Sequence, residues 1–575
     1  MHIDYFDAAH TELLQGINLI EASAGTGKTY AIAMLVLRFV VEHDLALDKI
    51  LLVTFTKAAT EELKDRVRSR LAEARRLNAG EPNKGNDLTV INWLDQLDID
   101  PDVIKQRLEL ALLNIDQASI FTIHSFCQRV LREHALESGQ LFDAELTDDL
   151  SSIKQACVDD FWRKEIYSRT QWQVAVLTAN YATPDALLAS INVITDGMTV
   201  YPEHEALDDA LQALERLVNS AKDEVVVYTT AIQTSFNDEK FNGSYRDVFE
   251  EQMPLLTAWL LGNITQVPDA NSLALFTSDG LVGGLNGNKF RASKTQTSAE
   301  RKADYVASLA INTTPFDDLA DAVQHVTLVL RRTLLETLRA ELDKRLQQLN
   351  VLSFDSLITR LSEALTGDNG EQLANELRGR FAVALIDEFQ DTDSSQWAIF
   401  STVFGVESHF LYLIGDPKQA IYKFRGAAIF TYLDAQKQAT HRFTLSKNWR
   451  SHPQLVTAVN ALFQRDNPFI LEELAFHPVE PAKSVSDGEL RNSNLGLDSD
   501  VLAPLVLWQL SDPEKGYWKK PAAEQEIRVT VCNEIVELLT NDYRLQPKNQ
   551  RVQPKDIAIL VRSNRQAQDY QNALR

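Results

Sequence analysis

The stretch "LIEASAGTGKTY", Leu19 to Tyr30, decides how the rest of the chain is read. Residues 22–29 follow the phosphate-loop pattern G-x-x-x-x-G-K-[ST] at every defined position but the first, where Ala22 replaces glycine. Upstream, "INLIEAS" reads as a short buried strand. Downstream, "TYAIAMLVLRFVVEH" reads as a helix. Strand, glycine loop, helix is the order a phosphate site requires. Gly25 and Gly27 let the backbone turn so that N–H groups of the loop, from Ala22, Ser23 and Ala24 through Thr26, face phosphate oxygens, and the helix N-terminus adds a favourable dipole. Lys28 then reaches the β- and γ-phosphates, and Thr29 offers a hydroxyl to Mg²⁺. A plainer alternative is a strand-to-helix turn whose glycines only permit tight packing, so a second site has to decide.

That second site is "FAVALIDEFQDTDSSQ", residues 381–396, where an apolar β-type run ends in adjacent carboxylates. At a strand's carboxyl end Asp387 can hold Mg²⁺, and Glu388 can orient and deprotonate an attacking water. A solvated acidic turn would give no reason for an apolar run, Phe381 to Ile386, to lead straight into the pair. A third strand follows in "HFLYLIGDPKQAIYKFRG", with Gln419 just past an aspartate, where it can contact a γ-phosphate. "FTLSKNWRSHP" then supplies Arg450 as an arginine finger beside Trp449, which can stack on adenine; the alternative is packing plus a surface charge.

Bulk properties set limits around these motifs. At 575 residues the chain exceeds what one hydrophobic core spans, so more than one domain is expected. Apolar residues at 45% and charged residues at 24% suit a folded protein. The net charge of -24, from 57 Lys+Arg against 81 Asp+Glu, excludes a general attraction to polyanions, so any nucleic acid must bind through a local basic groove. Cys127, Cys157 and Cys532 are far apart and form no C-x-x-C pair, which argues against zinc, an iron-sulfur cluster or a disulfide framework and suits a reducing cytoplasm. "MHIDYFDAAH" lacks a basic-then-apolar export pattern, and "AIAMLVLRFVV" is short and broken by Arg38, so no membrane span is expected.

Taken together and in order, "IEASAGTGKT", "VTFTKAATEELKDRVRSRL", "FTIHSFCQRVL", "LIDEFQDTD", "LIGDPKQAIYKFRGAAIFTY" and "NWRS" closely resemble the motifs of UvrD/Rep-type superfamily 1 helicases, and among them the RecB type. In that type the loop's first residue is commonly alanine, so Ala22 agrees with it. The resemblance implies an α/β fold: a P-loop NTPase (RecA-like) motor domain with a parallel sheet, a large helical insertion and the start of a second motor domain. It implies ATP and Mg²⁺ as cofactors, Gln15 as the adenine-reading glutamine, Lys28 and Thr29 on phosphate and metal, Asp387 on the metal, Glu388 on the water, Gln419 on the γ-phosphate, and Arg425 and Arg450 on the transition-state charge. DNA contact is implied for Thr54, Phe55, Thr56 and Lys57, for His124 and Phe126, and for Tyr422 and Phe424, since aromatic faces stack on single-stranded bases whatever the sequence. Phe424 stands where UvrD and Rep relatives usually carry tryptophan. For Phe55 and Phe126 the alternative is core packing, and for His124 a satisfied backbone group.

Between Lys28 and Asp387 lie far more residues than a compact nucleotide-binding domain requires. The expected organisation is a first motor domain over 1–145, a mainly helical insertion over 146–335 with patterns such as "IKQACVDDFWRKEI", the rest of the first motor domain over 336–465, and over 466–575 a linker and an incomplete second RecA-like domain. "LRRTLLETLRAELDKRLQQLN" reads as a long amphipathic helix, and the closing "DIAILVRSNRQAQDYQNALR" as a buried strand followed by a helical start. In the insertion, "NGNKFRASKTQTSAERK" brings Lys289, Arg291, Lys294, Arg301 and Lys302 together, either as a solvated loop or as an arm on duplex DNA.

Two functions of different classes follow. The chain is an N-terminal portion of an ATP-hydrolysing 3′→5′ DNA helicase of double-strand-break repair, acting on a single strand and a duplex end with RecC- and RecD-type subunits; or it is an ATP- and DNA-binding module with little turnover. A stand-alone UvrD-like helicase or an AddA-type subunit is the further enzyme alternative.

Overall fold

The computed structural model describes residues 3–83, 88–134, 145–147, 149–192, 200–201, 205–293, 295–421, 429–484, 489–492, 503–511 and 518–575. The chain forms two compact units, Met1–Phe142 with Asp355–Arg575, and Asp143–Phe354. In chain order the strands are β1 (Asp4–Tyr5), β2 (Gly16–Glu21), β3 (Ile50–Thr54), β4 (Ile120–Thr122), β5 (Glu145–Thr147), β6 (Val351–Ser353), β7 (Val383–Ile386), β8 (Phe410–Gly415), β9 (His441–Thr444), β10 (Lys447–Asn448), β11 (Glu480–Pro481), β12 (Leu490–Asn492), β13 (Tyr543–Leu545) and β14 (Gln550–Arg551).

The first unit is built on a seven-stranded sheet in the order β1-β9-β2-β8-β7-β3-β4, every neighbouring pair parallel. Parallel strands are covered on both faces, which is why β3, β7 and β8 read as continuous apolar runs rather than alternating ones. All residues of β2, β3 and β7 are buried. The α/β fold with a parallel sheet expected from the sequence is the fold found.

Helix α1 (Lys28–Glu42) leaves the loop after β2 and is buried without interruption from Ala31 to Val41. Its single charge in that run, Arg38, is 5% exposed and fully engaged. The guanidinium donates to the carbonyls of Ala8 (3.3 Å) and Thr11 (2.6 Å) and pairs with Glu42 (2.7 Å), whose carboxylate also accepts from Trp93 Nε1 (2.8 Å). Among the described residues no helix is long and apolar enough to cross a membrane.

Toward the end of this unit β12, β13 and β14 form a small antiparallel sheet. The helix Lys520–Thr540 buries none of its residues. The helical start expected at the close of the sequence is the helix Asn564–Leu574. The strand expected just before it does not form: residues 557–560 make no ladder, and Leu560 is 100% exposed. An apolar run becomes a buried strand only when a neighbouring strand satisfies its N–H and C=O groups, and among the described residues none does so.

Among its described residues the second unit is helical apart from a two-stranded ribbon, three residue pairs long, in which β5 pairs with β6, and a single bridge between Phe241 and Leu285. The 36-residue helix Thr314–Leu349 packs along the 29-residue helix Leu207–Ser235, around aromatic side chains including Trp259, Phe249, Phe276 and Phe316. "IKQACVDDFWRKEI" lies in the helix Ser151–Glu165 and "LRRTLLETLRAELDKRLQQLN" in Thr314–Leu349. Of the basic run, Lys289 donates to the Glu239 carbonyl at 2.6 Å and Arg301 to the Arg291 carbonyl at 2.6 Å; Lys294 lies outside the described residues.

Candidate functional site

The loop between β2 and α1 has the backbone a phosphate site needs. Gly25 and Gly27 adopt φ of 80° and 94°, which side chains with a Cβ rarely take. Ala22 needs no such freedom: it is fully buried, and its N–H donates to the Gly415 carbonyl at 2.9 Å, continuing the β2–β8 ladder. The missing glycine therefore costs the loop nothing. Thr26 closes the loop on itself through its hydroxyl, 2.7 Å from the Ser23 carbonyl. Lys28 and Thr29 open α1.

Lys28 Nζ lies 2.6 Å from Glu388 Oε2, which brings two segments 360 positions apart into one site. Asp387 and Glu388 stand at the carboxyl end of β7, next to the ends of β3 and β8. Glu388 is in the left-handed region at φ 51°, so the chain turns sharply there and presents both carboxylates on one edge of the sheet. Asp387 accepts the Glu388 N–H at 2.9 Å. Burial, reinforced by the neighbouring Glu388 charge and opposed by Lys28, pushes the Asp387 carboxyl up to about 6.

A hydrogen-bonded chain runs on from this pair. Gln390, 3% exposed, donates to Glu388 Oε2 at 2.7 Å and accepts the Asp416 N–H at 2.9 Å. Asp416 holds Lys418 at 2.7 Å and accepts from Gln419 Nε2 at 2.8 Å. Gln419 is thus tethered beside the carboxylates, at the end of β8.

Trp449 and Arg450 complete the cleft. Its volume is about 550 Å³, and its walls include Gly25, Gly27, Lys28, Thr29, Glu388, Trp449 and Arg450, so a nucleoside triphosphate fits by size. Several lining residues were not singled out in the sequence, among them Tyr30, Arg66 and Arg70. The last two stand on α2 (Lys57–Asn78), with the Arg70 guanidinium 4.3 Å from the Tyr30 ring centre and paired with Glu73 at 2.8 Å.

Two expected roles are corrected. Gln15 immediately precedes β2, so it sits at the amino end of the strand, where Gly16 pairs with Phe410, while the loop leaves from the carboxyl end, where Glu21 pairs with Gly415. Six residues of strand separate the two ends by about 16 Å, and the Gln15 amide faces the Ser408 carbonyl at 3.4 Å. It cannot read a base bound at the loop. Phe126 is 1% exposed and packs against Phe400 and Phe381, with ring centres 6.3 Å apart in each pair. Its ring belongs to the core and offers no face to DNA.

A model of the UvrD/REP helicase N-terminal domain matches residues 6–440 of this chain. The chain belongs to the UvrD/Rep helicase family. It is 32% identical to the RecBCD enzyme subunit RecB of Escherichia coli (strain K12) over 98% of its own length and 47% of that protein. Against RecB of Haemophilus influenzae the identity is 31%, over 98% of this chain and 48% of the other. Against RecB of Mycobacterium tuberculosis it is 29%, over 78% and 29%. The chain spans about half the length of the first two of these relatives.

Of the other residues implied by UvrD/Rep membership, Thr54 to Lys57 and His124 fall along the same edge of the sheet. Thr54 ends β3, and Thr56 caps α2 by accepting the Ala59 N–H at 3.1 Å, which leaves Lys57 exposed in the first turn. Thr54 is 2% exposed, its hydroxyl 2.7 Å from that of Thr60, so it holds the turn in shape. Phe55 is half-buried, and His124 stands in the first turn of the helix Ile123–Glu133 that follows β4. Tyr422, Phe424 and Arg425 lie outside the described residues. Nucleotide candidates thus gather at the carboxyl ends of β2, β8 and β7, and strand-binding candidates at those of β3 and β4, as ligands of open parallel sheets do.

Proposed function

We propose that this chain is the ATP-driven motor portion of a RecB-type helicase, translocating 3′→5′ on DNA in double-strand-break repair in the cytoplasm, together with RecC- and RecD-type subunits. The observation that carries the reading is the meeting of Lys28, Glu388, Trp449 and Arg450 in one cleft. We assign the insertion to Asp143–Phe354, because the boundary at 335 read from the sequence would cut the helix Thr314–Leu349, the first motor domain to the residues on either side of it up to 465, and the opening of a second motor domain to 466–575.

Loop N–H groups and Lys28 bind the phosphates, and Lys28 exchanges its Glu388 partner for them. Glu388, released, accepts a proton from the attacking water. Gln419 lies within the same hydrogen-bonded chain and reports the γ-position, while Arg450 meets the charge that develops on the leaving group. Trp449, 61% exposed, offers its face to the base. The donor set fits Mg²⁺: a hard carboxylate at Asp387, whose charge Glu388 disfavours, and the Thr29 hydroxyl. An ion there would be held by that carboxylate, the Thr29 hydroxyl and substrate oxygens. The metal, when bound, neutralises phosphate charge.

ATP hydrolysis by the full chain, with and without single-stranded DNA, tests the reading. Turnover that DNA stimulates and that Glu388→Gln removes supports it; turnover unaffected by Glu388→Gln counts against it. The run at 557–560, which joins no described strand and leaves Leu560 exposed, favours a second reading, a nucleotide- and DNA-binding module that turns over little. Tight nucleotide binding without hydrolysis in the same assay selects that one.

A further inference from the structure

Asn448, outside both the phosphate loop and the carboxylate pair, ties three pieces of the cleft together. It is 7% exposed. Its Nδ2 donates to the Ala24 carbonyl of the loop at 2.9 Å. Its Oδ1 accepts the Arg450 N–H at 3.0 Å and the Ser451 N–H at 2.9 Å, which folds the turn carrying Trp449 and Arg450. Beside it the Trp449 N–H donates to the Gly25 carbonyl at 2.8 Å, and the Asn448 carbonyl accepts from Ala482 at 2.9 Å, continuing the β10–β11 pairing.

The approach of loop and turn is close enough to constrain the sequence on the other side. A Cβ on Gly25 would lie 2.8 Å from Arg450 Cβ and 3.1 Å from both side-chain heteroatoms of Asn448. An amide is the side chain that fits, because it donates to the loop and accepts from the turn at once. A carboxylate in its place would keep the acceptor and lose the donor.

We propose that Asn448 is a positioning residue for nucleotide binding, a latch that makes the phosphate loop set the placement of Trp449 and Arg450. The inference rests on residues 22–29 being the phosphate site, and adds that this loop does not build the site alone. Through its own carbonyl the latch joins the loop to β11, so a shift of the loop on binding phosphate is felt at residues 480–482.

The test is titration of the full chain with a fluorescent ADP analogue, which needs no hydrolysis, alongside the change in Trp449 emission taken as the difference from a Trp449→Phe chain. In Asn448→Ala the dissociation constant rises by about tenfold, and the nucleotide-dependent Trp449 signal disappears. Asn448→Asp keeps the turn and loses only the Ala24 bond; its binding also weakens, and the deficit persists at high salt, where charge repulsion from phosphate is screened. Should the alanine variant not fold, the aspartate variant decides by the same two readouts. Wild-type affinity and an intact Trp449 signal in the folded variants, with binding lost in Lys28→Ala, overturn the latch and leave the phosphate loop standing. Undiminished binding in Lys28→Ala overturns both.

Discussion

Asp387 shows how a single residue carries the chemistry. Its carboxyl is raised to about 6 by burial and by Glu388, above the ordinary aspartate value, so the folded state holds the proton more tightly than the unfolded chain does. Stability from this source is complete at pH below the ordinary value and is lost as pH rises through about 6. Asp387→Asn is therefore expected to be more stable than the native chain near neutral pH in the absence of divalent cations, with the gap closing as pH falls; urea denaturation across pH in a chelating buffer measures it. The same titration governs metal binding, since a cation needs the carboxylate. The Mg²⁺-dependent part of nucleotide affinity should grow as pH rises through about 6 and flatten above it, a dependence absent from Asp387→Asn.

Phe126 and Gln15 show where residue types mislead. Phe126→Ala should cost about 3 kcal/mol or more of stability, as loss of a buried aromatic does, with any loss of DNA binding following the loss of fold. Denaturation followed by DNA titration at a temperature where the variant is folded separates the two. The sequence could not say that Phe126 packs between Phe381 and Phe400, because those partners come from segments more than 250 positions away. Gln15 failed for a different reason: it precedes the strand read at 17–23, and the role implied by the resemblance took no account of the length of strand that separates it from the loop. Asn448, Arg66 and Arg70 were passed over for the converse reason, since their value lies in what they approach in space.

At the scale of elements, the sheet was legible wherever both faces of a strand are covered. β3, β7 and β8 each carry an uninterrupted apolar run, and each lies inside the parallel sheet. Residues 557–560 carry the same kind of run and form no strand, because a ladder needs a neighbour that local pattern does not reveal. α1 shows the reverse case, a charge inside an apolar helix that is structural. Arg38 is buried with four acceptor atoms around it, two carbonyl oxygens and both Glu42 oxygens. Glu42→Ala would leave that guanidinium without its carboxylate and Trp93 Nε1 without its acceptor, at a cost of about 3 kcal/mol or more. Arg38→Met, which removes the charge itself, should cost less; chemical denaturation of the two variants gives the order.

For the whole molecule, the net charge of -24 means that binding to a polyanion depends on local clusters. Lys28, Arg66, Arg70 and Arg450 form one such cluster around the cleft. In the helical unit, Lys289 and Arg291 are exposed and Arg301 and Lys302 half-buried, in the run that the sequence reads either as a solvated loop or as an arm on duplex DNA. If the run is an arm on duplex DNA, reversing these four charges weakens duplex binding and lowers the slope of log affinity against log salt by about 3.6. An unchanged slope would leave the segment as a solvated loop.

Binding of ATP by Lys28 and its cleft is tested by calorimetric titration of the full chain with a non-hydrolysable ATP analogue and Mg²⁺. One site per chain is predicted, with affinity reduced by about thirtyfold in Lys28→Ala, the loss of a charge-assisted contact worth about 2 kcal/mol. Equal affinity in the native chain and in Lys28→Ala would contradict the account.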